Sequence, residues 1–172
     1  MPGFLHIAAI DVIRQAHKNQ KRKYTGEPYI VHPFAVAGLV SSVTNNDEMI
    51  LAAYLHDTVE DTDITFELIQ GIFGKEVRDL VFWLTDASKP EDGNRAERKK
   101  IDRLHIAAAP AAAKTIKLAD LIDNTKSITA YDPVFAKVYM AEKKLLLEVL
   151  KDGDSELYGI AENLVRKYYE EK

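Results

Sequence analysis

Four side chains able to bind metal or carry protons crowd into six residues, His56-Asp57-Thr58-Val59-Glu60-Asp61, at the end of a strongly apolar run. On a helix, residues three and four apart share a face, which sets His56 beside Glu60 and Asp57 beside both Glu60 and Asp61. Gathering these groups on one partly buried surface costs desolvation and carboxylate repulsion unless a cation or a substrate compensates. The segment reads as a metal site with a catalytic carboxylate pair, Glu60 and Asp61, placed to take a proton or orient a water.

Two other segments supply matching donors. His32 precedes Pro33 and opens an apolar helix through Phe34, Val36, Ala37, Leu39 and Val40, while Lys117-Leu118-Ala119-Asp120 sets a carboxylate within an apolar turn. Asn124 follows Asp120 one turn later on the same face. His32, His56, Asp57 and Asp120 thus offer two imidazoles and two carboxylates, a mixed nitrogen and oxygen set suited to a divalent ion that keeps positions open for water and substrate. The chain has no cysteine, so thiolate ligands and disulfides are excluded and the ligands must be His, Asp or Glu. His17 and His105 lack comparable company and read as ordinary helix or surface histidines, and His6 carries no signal.

The elements that must position these residues are helical. Apolar side chains recur at helical spacing almost throughout, with no convincing period-two run, which predicts an all-α protein. Asp47, Thr65 and Ser155 are placed to cap helices, Gly74 separates two of them, and Asp132-Pro133 starts a long one. The N-terminal helix buries Leu5, Ala8, Ala9, Val12, Ile13 and Ala16 and ends near Asn19. The polar stretches Lys18 to Pro28 and Ala87 to Lys100 read as connections. At 172 residues the chain is expected to form one compact multi-helix domain over 1–172, with its last helix at 155–171.

A net charge of -4 argues against a nucleic-acid scaffold. No window approaches the length of a membrane span, and the N-terminus lacks the basic and apolar parts of a signal peptide, so a cytoplasmic location is expected. Amphipathic helices look alike whether they pack within a chain or between copies, so the sequence carries no signal of oligomeric state.

The arrangement of His32, His56-Asp57 and Asp120 resembles the HD-domain superfamily of metal-dependent phosphohydrolases. A closer resemblance lies in Arg22-Lys23-Tyr24-Thr25-Gly26-Glu27-Pro28-Tyr29-Ile30-Val31-His32-Pro33, in His56-Asp57-Thr58-Val59-Glu60-Asp61-Thr62, in Asn94-Arg95 and in Lys117-Leu118-Ala119-Asp120. These are similar to the hydrolase domain of RelA/SpoT homologues over about residues 4–150, in a chain with no room for synthetase and regulatory regions, like a stand-alone small alarmone hydrolase.

The resemblance implies hydrolysis of the 3′-pyrophosphate of (p)ppGpp to GDP or GTP and pyrophosphate, and the leading expectation extends to the adenosine analogues (p)ppApp. It implies manganese, with other divalent ions acceptable to the same donors, held by His32, His56, Asp57 and Asp120, and Glu60 and Asp61 as the catalytic pair. By the same resemblance Arg22, Lys23 and Asn124 contact a small nucleotide substrate. Arg95 and Lys117 are expected by their charge to neutralise the pyrophosphate, Tyr24 and Asn94 complete the expected substrate-binding set, and no nucleic-acid or membrane partner is expected. Arg98 and Lys99 read either as phosphate contacts or as part of a solvated basic face. This chain departs from the family pattern at Tyr24-Thr25, which lengthens the basic loop by one residue, and at Asp123, where relatives carry an aromatic residue or histidine. Competing expectations are a phosphohydrolase of another nucleotide, such as an NADPH 2′-phosphatase, and a nucleotide sensor without chemistry.

Overall fold

The computed structural model of the chain describes residues 2–170, and Glu171, to which the last helix was expected to run, lies outside them. The chain is all-α: among the described residues it forms ten α-helices and one short 3-10 turn, with a single isolated bridge between Lys21 and Pro28. It divides into two compact units, one ending at Thr85 and one beginning at Asp86. None of the helices is long and apolar enough to cross a membrane.

The first unit holds α1 (Pro2–Ala16), α2 (Val31–Val43), α3 (Asp47–Leu55), α4 (Thr58–Asp61), α5 (Phe66–Phe73) and α6 (Lys75–Leu84). α3 is its centre, packing against α1, α2 and α6, while α5 lies on α6. Small Ala52 and Ala53 on α3 let its neighbours approach, and with Leu55 they are wholly buried, as are Ala9 and Ile13 of α1, Val36 and Val40 of α2, and Val77 and Val81 of α6. Each large aliphatic side chain removed from water in this way contributes about 1.5–3 kcal/mol.

Local signals set most of the boundaries. Thr65 accepts a hydrogen bond from Leu68 N at 3.3 Å and caps α5 as expected. α3 is capped by Asn46, whose Oδ1 accepts from Met49 N at 2.7 Å, and not by Asp47, which is the first helical residue. Both residue types cap well; Asn46 has the extended backbone that the capping position requires. The helix expected to run through His56 stops at Leu55. His56 and Asp57 form a turn, and the Thr58 hydroxyl, donating to Leu55 O at 2.7 Å, helps the chain change direction before α4.

The second unit holds α7 (Arg95–Ala107), α8 (Ala111–Tyr131), α9 (Pro133–Leu147) and α10 (Ser155–Glu170). α8 and α9 form a hairpin around Asp132, whose side chain accepts from Phe135 N at 3.0 Å with Pro133 at the first helical position. α10 packs against both. Its approach is fixed by Lys114, paired with Asp152 at 2.9 Å, and by the Thr115 hydroxyl, which accepts from Asp154 N at 2.9 Å. Gly153 sits where a Cβ would come within 2.8 Å of Leu118, so no larger residue fits that turn unchanged.

Two expectations fail in this unit. Asp154, accepting from Glu156 N and Leu157 N at 2.9 and 3.0 Å, is the side chain that caps α10, and Ser155 is already helical. The stretch 87–100 is not one connection, because α7 starts inside it. Asn94 accepts from Ala96 N and Glu97 N while Glu97 reaches back to Asn94 N at 2.8 Å, a reciprocal cap that nucleates a helix in a run of charged residues.

Candidate metal centre

The first unit brings His32, His56 and Asp57 together. His32 is the second residue of α2, and His56 and Asp57 form the turn after α3, so the packing of α2 on α3 sets one histidine against the other. The two Nε2 atoms lie 3.2 Å apart, and Asp57 Oδ2 lies 3.0 Å from that of His56 and 3.4 Å from that of His32. Both histidines are buried. The three residues form a group of ligand atoms able to hold one metal ion.

Protonation favours that use. His56 Nδ1 donates to Ala53 O at 2.8 Å, and a carbonyl can only accept, so in the neutral ring the lone pair is on Nε2, facing His32 and Asp57. An imidazole fixed in this way by its other nitrogen is the usual form of a histidine ligand. Two buried nitrogens and a carboxylate oxygen converging at such distances need a proton or a cation shared among them. The donor set therefore fits a divalent metal. Burial alone would raise the Asp57 carboxyl, but the charge and hydrogen bonds that His56 and His32 can supply outweigh it and hold the carboxyl well below the usual carboxylate range.

Tyr29, which sequence reasoning placed in the motif without a role, donates its hydroxyl to Asp57 Oδ2 at 2.5 Å and lies 3.4 Å from Asp61 Oδ2. His17 also does more than an ordinary helix histidine. It is buried, lies against the Tyr29 ring with centroids 4.7 Å apart, and bonds through Nδ1 to Gln20 Oε1 at 2.7 Å. Gln20 in turn donates to the Asp61 carbonyl at 2.9 Å. One turn of α4 carries Asp61 back over Asp57, with Asp61 N donating to Asp57 O at 2.9 Å. Glu60 and Asp61 are exposed, and loss of hydration together with the negative Asp57 raises the Asp61 carboxyl from its ordinary value.

The basic loop leads into this group. Arg22 N donates to Glu27 O at 2.8 Å and Gly26 N to Arg22 O at 3.0 Å, closing a turn in which Gly26 takes a φ of 71° that disfavours any side chain. Lys23 is exposed, and its ammonium donates to Tyr24 Oη at 3.2 Å.

The second unit gathers Lys117, Asp120 and Asn124 on α8. Asp120 is buried, pairs with Lys117 at 3.0 Å and accepts from Asn124 Nδ2 at 2.6 Å. Arg95 makes a two-pronged pair with Glu142 at 2.7 and 2.9 Å and lies over the Phe135 ring, while Asn94 spends its side-chain oxygen on the α7 cap.

An all-α fold with a buried His, His-Asp donor group at the ends of packed helices defines a metal-binding HD-type protein. A family model described as HD domain matches residues 9–146. The guanosine-3′,5′-bis(diphosphate) 3′-pyrophosphohydrolase MESH1 of Danio rerio is 37% identical over 131 residues, covering 74% of this chain and 71% of that protein. A probable guanosine-3′,5′-bis(diphosphate) 3′-pyrophosphohydrolase from Synechocystis is 41% identical over 120 residues, 68% of this chain, and the chain spans only 16% of its length. For the similar Aquifex aeolicus protein the share is 18%. The solved structure of a metazoan ortholog of SpoT, described as hydrolysing ppGpp, aligns with a TM-score of 0.86 at 27% identity over 95% of each chain. The chain belongs to the HD-domain family and, within it, is a RelA/SpoT homologue.

Proposed function

We propose that this chain is a manganese-dependent (p)ppGpp 3′-pyrophosphohydrolase, which also accepts (p)ppApp and acts in the cytoplasm. The observation that carries the reading is the buried His32, His56 and Asp57 group in a chain similar over most of its length to the MESH1 enzyme of Danio rerio. On this reading Asp120 is the fourth ligand. The family match runs through both units, which supports treating residues 1–172 as one catalytic domain.

A bound divalent cation supplies Lewis acidity, which makes water a nucleophile near neutral pH and offsets phosphate charge. The chain's own residues do the rest. Water adds to the phosphorus that carries the ribose 3′ oxygen, the bond from that phosphorus to the 3′ oxygen breaks, and pyrophosphate leaves the nucleoside. Glu60 and Asp61 take the proton that the attacking water loses and return one to the 3′ oxygen. The raised Asp61 carboxyl suits such exchange, since its affinity for a proton is greater than that of an ordinary aspartate.

Arg22, Lys23 and Tyr24 are assigned to the nucleotide, where a guanidinium plane stacks on a purine and an aromatic ring supports the basic side chain. Lys117 and Arg95 are assigned to phosphate charge, and Asn94 and Asn124 to polar contacts with the nucleotide. The test is side-by-side turnover of ppGpp, ppApp, NADPH and deoxynucleoside triphosphates by the purified chain with manganese, zinc or iron. Pyrophosphate should appear from the two alarmones with manganese; no release from either would overturn the reading.

A further inference from the structure

Lys143 is an ammonium that none of the expected roles uses. It lies on α9 one turn beyond Tyr139, with Nζ 4.7 Å from the centre of the Tyr139 ring. The Tyr139 hydroxyl is 3.5 Å from Thr125 Oγ1 on α8, so in the α8-α9 hairpin a position later on α9 faces an earlier turn of α8. That turn carries Lys117 and Asp120. The charged groups acting on Lys143 are Lys117 and Asp120 from α8, Lys99 from α7 and Glu142 from its own helix.

The nearby carboxylates have other partners. Asp120 pairs with Lys117 and Glu142 with Arg95, while Asp86 and Asp102 both hold Lys99. Lys143 makes no ion pair among the described residues. A partly buried cation beside two other lysines is costly, and burial first, then Lys117, brings its pKa down to about 8. Such a site gains most from a ligand dense in negative charge, which several ammonium groups can share.

We propose that Lys143 is a further anion-binding residue, whose ammonium acts with Lys117 to take a phosphate of the pyrophosphate group. In its application to substrate this rests on the hydrolase reading above. Lysine suits the task because its movable point charge can follow the group from substrate to leaving pyrophosphate.

The test is calorimetric titration of inorganic pyrophosphate into the manganese-loaded wild type, Lys143→Met and Lys143→Arg, with manganese affinity and melting temperature measured for each. Loss of one charge-assisted contact should weaken pyrophosphate binding about 10- to 100-fold in Lys143→Met. Lys143→Arg should restore most of it, with manganese affinity unchanged in both. KM for ppGpp should rise in step, with a smaller change in kcat. If the Met variant is unstable, Lys143→Gln takes its place. Wild-type pyrophosphate affinity in the neutral variants, or a parallel loss of manganese, would overturn the inference. A wild type that binds pyrophosphate through Lys143 but releases none from ppGpp would overturn the hydrolase reading and leave the anion site standing.

Discussion

The Tyr29 hydroxyl donates across 2.5 Å to the same Asp57 oxygen that faces both His56 and His32. A single oxygen is thereby aimed by a side chain 28 residues earlier in the chain. Removing the hydroxyl frees the carboxylate to rotate. Tyr29→Phe is predicted to weaken manganese binding about tenfold, the scale on which partners of metal ligands act. Calorimetry on the metal-free protein measures this directly, and an unchanged affinity would remove Tyr29 from the centre.

Glu60 and Asp61 are exposed at the edge of the buried donor group, so their replacement should leave the fold and the metal untouched. Glu60→Gln with Asp61→Asn should lower turnover about 10²- to 10⁴-fold, the range for general acid-base groups, at unchanged manganese affinity. Stopped assays on ppGpp beside metal titrations separate the two effects. Persistent turnover would mean that the proton moves through other groups.

Metal should also stabilise the fold, because on the proposed reading its ligands include residues of α2 and of the turn after α3. At a free concentration about 100 times the dissociation constant, an ion bound only by the folded chain adds about 2.7 kcal/mol. For a chain of this size that corresponds to a rise of about 5–10 °C in Tm. Chelation should reverse the rise, and His56→Ala should abolish it. Equal melting curves with and without manganese in the wild type would contradict a site built from these residues.

Asp102 links α7 to the segment before it, accepting from Ser88 N at 2.9 Å and from Lys99 at 3.1 Å. Burial works to raise its carboxyl, but the Ser88 amide and Lys99 prevail and hold it below the ordinary 3.8. The folded-state pKa is depressed, so this stabilisation is complete above the unfolded value and is lost as pH falls through the folded one. Asp102→Asn should cost about 1–3 kcal/mol at neutral pH, with the gap from wild type closing only below about pH 4. Denaturant titrations at pH 7 and in acid measure it; a constant gap would deny the carboxylate this role.

Much of this molecule is decided by short-range rules. Helical spacing along the whole chain dictates the all-α class, Thr65 and Asp132 cap helices as their types demand, and Pro133 starts one because its fixed φ suits the first turn. The His56-Asp57 pair and His32 stand out because their donors are expensive to bury without a purpose. Where two neighbours could do the same local task, as with Asn46 and Asp47 or Asp154 and Ser155, backbone conformation chose between them. The start of α7 was legible in principle from Asn94 and Glu97, three residues apart, but a run of charges hid it.

Other properties belong to the tertiary structure alone. Nothing near Tyr29 in the chain says that its hydroxyl meets Asp57, and nothing near His17 says that its ring lies on Tyr29. Lys143 looks like any lysine of an amphipathic helix until the α8-α9 hairpin gives it Lys117 and Asp120 as neighbours and leaves it without an acid of its own. The physical reason is range. Periodicity and capping act within a few residues and can be read from the sequence, whereas desolvation and Coulomb interaction act through space, between groups that only packing brings within reach.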